Sequence, residues 1–166
     1  GFVFSSVIHA GNVIISGEIF ADDPLARGPS FCGIAQNYPH HLVGPIRVSS
    51  TGSYYVVDGA LSLLFYTGIG MYTTASVYQG SYDINNPNAN LVAVLDDVDE
   101  ITLNSGTDYY FVIQPFCSNN FLGVYSTTIS GPGNITGSGA IAPFDYMEGV
   151  FVNSDPIGDI TEEQCG

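Results

Sequence analysis

The chain has 166 residues, the length of one domain, and carries sixteen acidic residues against two basic ones, for a net charge of −14. Both basic residues are arginines, and two cations cannot neutralise a row of phosphates, which argues against binding to nucleic acid or docking on anionic lipid. The absence of lysine excludes Schiff-base chemistry and a P-loop. Because 45% of the residues are hydrophobic and only 11% are charged, the composition is that of a packed globule and not of a disordered acidic tail.

Strand patterns dominate the chain. Short runs of β-branched and aromatic residues recur between clusters of Gly, Pro, Asn and Asp, and no long stretch places apolar residues at helical spacing. In chain order these runs predict strands at residues 2–8, 13–20, 42–49, 53–57, 61–66, 73–78, 91–95, 100–103, 107–115 and 123–130.

One predicted strand shows the alternation that assigns its faces. In residues 107–113, Tyr109, Phe111 and Ile113 share one side, which we expect to face a core. Residues 50–53 and 104–107 have turn chemistry between strands. Many such strands in one domain predict an all-β fold, a single two-sheet antiparallel β-sandwich of jelly-roll type.

Three segments follow from this pattern. Residues 1–20 form an extra N-terminal apolar strand region, residues 21–135 form the β-sandwich core, and residues 136–166 hold a last strand and an acidic tail. The longest apolar runs fall short of the roughly 20 residues that a membrane-spanning helix needs, so we expect no membrane insertion.

The N-terminal region contains two apolar strand patterns before the rest of the domain begins. An unpaired apolar strand promotes aggregation unless another strand covers it. The covering strand belongs either to the same chain or to a neighbouring copy. Pairing with a neighbouring copy predicts a homopolymer formed by strand addition. The predicted assembly strand comprises Phe2, Val3, Phe4, Val7, Ile8, Val13, Ile14 and Ile15.

The cysteines Cys32, Cys117 and Cys165 lie far apart and form no CxxC pair. This spacing favours disulfide bonds in an exported protein over a zinc site. Pairing of Cys32 with Cys117 is the preferred prediction and pairing with Cys165 is the alternative, while the odd thiol is free or bonded to a neighbouring molecule. Three buried, reduced thiols are the remaining possibility.

Oxygen-bearing side chains on both sides of one predicted strand suggest a calcium site, the one cofactor that the sequence indicates. The candidate ligands are Asp83, Asn85, Asp96, Asp97 and Asp99. Calcium takes six to eight oxygen ligands, but the EF-hand pattern is absent. Solvated turns are the preferred interpretation, so we expect no cofactor, and calcium is the alternative.

Motifs of catalysis are missing. The chain has no G-x-S-x-G elbow, no H-E-x-x-H and no phosphate loop. Two carboxylates suffice for a glycosidase, so an acidic hydrolase using Asp96, Asp97 and Asp99 is a minor hypothesis. We expect that the protein is not an enzyme.

Five stretches in the middle of the chain carry a resemblance to a known family, and they lie at residues 48–54, 78–93, 96–97, 101–113 and 130–133. In their order along residues 46–133, a little over half of the chain, they resemble secreted bacterial β-sandwich domains related to the pre-peptidase C-terminal family. The resemblance implies an extracellular, non-catalytic module with a sandwich fold, and it supplies no catalytic residues.

Together these observations predict a structural subunit of an extracellular bacterial filament or surface assembly, whose partner is a second copy of itself. The alternative is a calcium- or carbohydrate-binding module of a secreted protein.

Overall fold

A computed structural model describes residues 7–9, 11–27, 37–58, 73–95, 98–115, 122–137 and 141–143. These residues are all-β and form thirteen strands: β1 (Val7–His9), β2 (Asn12–Ile19), β3 (Leu25–Arg27), β4 (Asn37–Pro39), β5 (His41–Val48), β6 (Gly52–Asp58), β7 (Thr73–Gln79), β8 (Leu91–Leu95), β9 (Val98–Leu103), β10 (Tyr109–Pro115), β11 (Gly123–Ser130), β12 (Ile135–Gly137) and β13 (Ile141–Pro143).

Two large antiparallel sheets carry most of these strands. The first has the order β1-β12-β5-β10-β7-β8, the second has the order β13-β2-β11-β6-β9, and β3 and β4 form a separate two-stranded ribbon. The arrangement is consistent with a β-sandwich, as the alternation predicted. The predicted strand at residues 61–66 lies outside the described residues.

The two large sheets share one hydrophobic core. The long strands of both sheets contribute to it, most of them through alternate residues, as a period of two requires. Its fully buried large side chains include Tyr54, Tyr109, Tyr125, Phe111, Ile15, Ile19, Ile46, Leu95, Leu103, Ile113 and Ile129. Tyr109, Phe111 and Ile113 therefore face a core, which confirms the prediction for β10.

The second face of the six-stranded sheet is covered at β7 and β10, which the sequence pattern did not predict. Val112 and Gln114, on the opposite side of β10, are 2% and 1% exposed. The Gln114 side-chain amide donates to the carbonyl oxygen of Ala26 in the ribbon at 3.0 Å. The Tyr78 hydroxyl donates to the Pro87 carbonyl oxygen at 2.8 Å, so a loop covers the neighbouring strand.

The strand β2 is an interior strand of its own protomer. It pairs with β11 on one side and with β13 on the other. Val13 and Ile15 are completely buried, and Ile14 lies between them on the other face of the strand. This part of the predicted assembly strand is thus a core strand of its own chain, because burial of two large apolar side chains is satisfied without a second copy.

Two predicted turns are confirmed and bind each other. The Ser105 amide donates to the Thr51 hydroxyl oxygen at 2.9 Å, and the Ser105 hydroxyl donates to the Ser49 carbonyl oxygen at 3.1 Å. Gly106 has a φ of +77°, a conformation that glycine adopts without strain. These contacts join the β5–β6 and β9–β10 connections at one end of the two sheets.

Candidate functional site

The N-terminal block divides at Gly11 into two unequal parts. Gly11 has a φ of +67°, and its carbonyl oxygen accepts a hydrogen bond from the Gly131 amide at 2.9 Å. After this anchor comes the interior strand β2. Before it comes β1, a three-residue edge strand whose pairing among the described residues is with β12 alone.

The predicted assembly residues are therefore distributed over both parts. Val7 and Ile8 lie in β1, and Val13, Ile14 and Ile15 lie in β2. Phe2, Val3 and Phe4 lie outside the described residues.

The outer strands of the two large sheets differ in length and charge. β1 and β13 have three residues each. β9 carries Asp99 and Glu100, and the Glu100 carboxylate accepts a hydrogen bond from the Ser53 hydroxyl. β8 has the sequence LVAVL without any charge, and Val92 is 43% exposed. Charged or very short outer strands resist pairing with other chains, and β8 has neither protection.

A chain of polar side chains links the two sheets near the ribbon. The Nδ1 atom of His41 in β5 lies 2.9 Å from the Tyr125 hydroxyl of β11, and its Nε2 atom lies 3.1 Å from the Asp23 carboxylate. The His41 and Tyr125 rings meet edge to face, with centroids 5.5 Å apart. Because the three residues are distant in sequence, no spacing pattern signals this network.

The chemistry of this network is that of a structural bridge. Burial, and to a lesser degree the Asp23 carboxylate, raises the pKa of Tyr125 to about 12, so this hydroxyl is protonated at neutral pH and is a poor nucleophile. His40 makes a different contact, since its Nδ1 atom lies 2.6 Å from the Pro24 carbonyl oxygen. The two adjacent histidines thus bind separate partners.

We expect the fold to be lost in alkali as two buried tyrosines ionise. Burial raises the pKa of Tyr78 and of Tyr125 from 10.0 to about 12, with the nearby Tyr82 adding to the effect on Tyr78. The folded state therefore holds these protons more tightly than the unfolded state does. The stability that these two protonated tyrosines contribute is complete below pH 10 and falls as the pH rises towards 12. Tyrosinate absorbance and circular dichroism, followed together, should change together in this range. Full ionisation of all tyrosines near pH 10 with an intact fold would contradict the expectation.

The calcium ligands suggested by the sequence are not brought together among the described residues. There, no group of three His, Cys, Asp or Glu side chains is arranged to hold a metal ion. The Asp83 carboxylate accepts a hydrogen bond from the Asn85 amide at 2.9 Å and so caps its own loop. Asp99 lies in β9, the strand that follows β8, and already interacts with another group. Asp96 and Asp97 lie outside the described residues.

A pocket of about 380 Å³ lies between the ribbon and the loop after β7. It is lined by Leu25, Arg27, Asn37, Ile84, Asn85 and Pro87. Among the described residues, the Arg27 guanidinium has no ion pair. Because a guanidinium repels metal cations, a pocket that Asn85 shares with Arg27 suits a neutral or anionic polar group better than calcium.

The second arginine, Arg47, forms an ion pair. Arg47 in β5 donates to the Asp108 carboxylate in the turn before β10. This hydrogen bond lowers the pKa of Asp108 and raises the pKa of Arg47. Both groups are exposed, so the pair adds little to stability and positions the turn instead.

Cys32, Cys117 and Cys165 all lie outside the described residues, and the predicted disulfides stay predictions. Among the residues that the structure describes, no helix is long and apolar enough to cross a bilayer.

Comparisons of the chain with models of protein families, with curated proteins and with solved structures found no match. The resemblance to the pre-peptidase C-terminal family therefore stays a prediction from the residues.

Proposed function

We propose that this protein is a structural subunit of an extracellular bacterial filament or surface assembly, and that it polymerises by lending its N-terminal segment, residues 2–9, to the sheet of the next copy. The division of the N-terminal block at Gly11 supports this proposal. The interior strand β2 completes the core of each protomer, whereas β1, among the described residues, is held by one three-residue pairing with β12. Release of β1 from β12 therefore breaks few main-chain hydrogen bonds.

The distribution of charge along the sequence also supports the N-terminal segment as the part that joins two copies. Residues 1–17 contain no Asp, Glu, Lys or Arg in a chain of net charge −14. Copies of such a chain repel each other, so assembly must draw on apolar burial and main-chain hydrogen bonds, which residues 2–9 supply. The secreted location and the finer assignment as a jelly roll belong to this proposal.

Deletion of residues 1–10 should convert the assembling protein into a soluble, folded monomer. The deletion removes Phe2, Val3 and Phe4 together with β1, but it leaves Gly11 and the whole of β2. Electron microscopy and sedimentation of the purified protein measure the result. A matched variant with Ser5 and Ser6 replaced by alanine keeps every apolar side chain of the segment and should assemble normally.

Assemblies of unchanged size after the deletion would refute the proposal. The alternative is a calcium- or carbohydrate-binding module, and the pocket that holds Arg27, Asn37 and Asn85 favours its carbohydrate-binding form. It predicts that the full-length chain is a monomer at all concentrations and that its melting temperature rises with a glycan or with calcium, because a ligand that binds only the folded state stabilises it.

A further inference from the structure

Among the described residues, strand β8 is an outer strand of the six-stranded sheet, since it pairs with β7 and no other described strand lies beyond it. Leu95 and Ala93 point into the core, while Val92 is 43% exposed. The register between β7 and β8 shifts by one residue at Val92. In an edge strand, alternate residues direct their amide and carbonyl groups away from the neighbouring strand, so the regular part of β8, residues 93–95, presents main-chain groups that fit a further strand.

The stretch of sequence that contains β8 carries no charge. Residues 84–95 carry no ionisable side chain, although Asp83 and Asp96 stand directly on either side. Of the four outer strands of the two large sheets, β8 is the one that combines five residues with a complete lack of charge. Between subunits of net charge −14, this uncharged edge and the uncharged N-terminal segment are matched in polarity.

The positions of the two features suit a chain of subunits. β1 and β8 are the opposite outer strands of the same six-stranded sheet. Neighbouring strands lie about 4.8 Å apart, so the five steps from β1 to β8 span roughly 24 Å. A contact between two different surfaces on opposite sides of a subunit is heterologous and builds an open filament unless the rotation closes a ring.

We propose that β8, residues Leu91–Leu95, is the acceptor edge to which residues 2–9 of a second copy add as a new outer strand. The proposal rests on the proposed function, and it goes further by naming the surface that receives the strand. The first sheet then continues from one subunit into the next.

Val92→Glu tests the acceptor edge directly. The change adds a charge at the exposed Val92 of β8 and leaves the core-facing Ala93 and Leu95 in place. Thr102→Glu is the matched control, since Thr102 is exposed on the outer strand β9 of the other sheet. The concentration needed for assembly, measured by light scattering, should rise at least about tenfold for Val92→Glu, which corresponds to about 1.4 kcal/mol per contact. It should not change for Thr102→Glu.

A second measurement uses the unaltered chain and so does not depend on how the variant folds. Amide hydrogen exchange of filaments and of dilute monomers should show new protection at residues 91–95 upon assembly. Protection there, with a raised assembly concentration for a folded Val92→Glu, supports the acceptor edge. Unchanged exchange at residues 91–95, or normal assembly of Val92→Glu, overturns it.

The deletion of residues 1–10 separates the two proposals. If the deletion abolishes assembly while Val92→Glu assembles normally, the N-terminal segment is the donor and β8 is not the acceptor. The segment then exchanges between copies onto β12. If the deletion leaves assembly intact, the proposed function itself fails.

Discussion

Replacement of Ile15 by aspartate should prevent the protomer from folding. Ile15 is completely buried in β2, opposite Thr127 of β11 and Ile141 of β13. A carboxylate without a partner in an apolar core costs several kcal/mol, and we expect a loss of about 5 kcal/mol. The free energy of unfolding of a typical domain is about 5–15 kcal/mol, so this change removes much or all of it. Circular dichroism and urea unfolding of the purified variant measure the effect.

Ser16→Asp is the control for this experiment. Ser16 is the next residue of β2 and is exposed, so the same charge should change the free energy of unfolding by less than about 0.5 kcal/mol. An Ile15→Asp protein that is folded and monomeric, and has lost only its ability to assemble, would contradict the placement of β2 in its own protomer. It would show instead that β2 is lent to a neighbour, as the sequence pattern first suggested.

Gly131→Ala should destabilise the fold by about 3 kcal/mol, near the upper end for overpacking of a core. A Cβ atom at Gly131 would lie 2.1 Å from the Cδ1 atom of Tyr54. The Tyr54 ring is completely buried and cannot move aside, because its hydroxyl donates to the Ser50 carbonyl oxygen at 2.7 Å and accepts from the Gly133 amide at 3.1 Å. Thermal and urea unfolding measure the loss.

The neighbouring Asn134→Ala should have little effect, since Asn134 is exposed and its hydrogen bond to the Ser49 hydroxyl comes from the main chain. The Gly131→Ala change should also cost much less in a Tyr54→Ala background, where the ring is gone. Equal costs in both backgrounds would show that the contact with Tyr54 does not determine the need for glycine.

Most long strands were predictable because runs of β-branched and aromatic residues lie between turn residues. The strands β2 and β11 show the alternation of more and less buried sides most clearly, whereas β7 and β10 are buried on both faces. The strands β2, β5, β7, β8, β10 and β11 lie within a few residues of their predicted ranges. The strands β3, β4, β12 and β13 were missed, since a strand of three residues is too short to display a period of two.

The partner of a strand was harder to predict than the strand itself. The apolar alternation of Val13 and Ile15 requires a cover but does not specify whether that cover belongs to the same chain, because main-chain hydrogen bonds carry no sequence information. The burial of Val112 was not predicted either, since alternation within one strand carries no signal of a cover over its second face.

The candidate site was partly visible in the sequence. Residues 91–95 were predicted as a strand, but their position at an outer edge depends on the pairing of β7 with β8 and β10. The absence of charge from residues 84–95 was the available signal. The network of Asp23, His41 and Tyr125 left no such signal, since it joins residues from three distant parts of the chain.

Photo-crosslinking in a mixed assembly tests the central claim most directly. A photoreactive phenylalanine analogue replaces Phe4, and isotopically heavy and light subunits are assembled together before illumination. Mass spectrometry then shows which chain each crosslink joins. The account predicts crosslinks between heavy and light chains, with residues 91–95 as the attached segment. Crosslinks confined to single chains would contradict it.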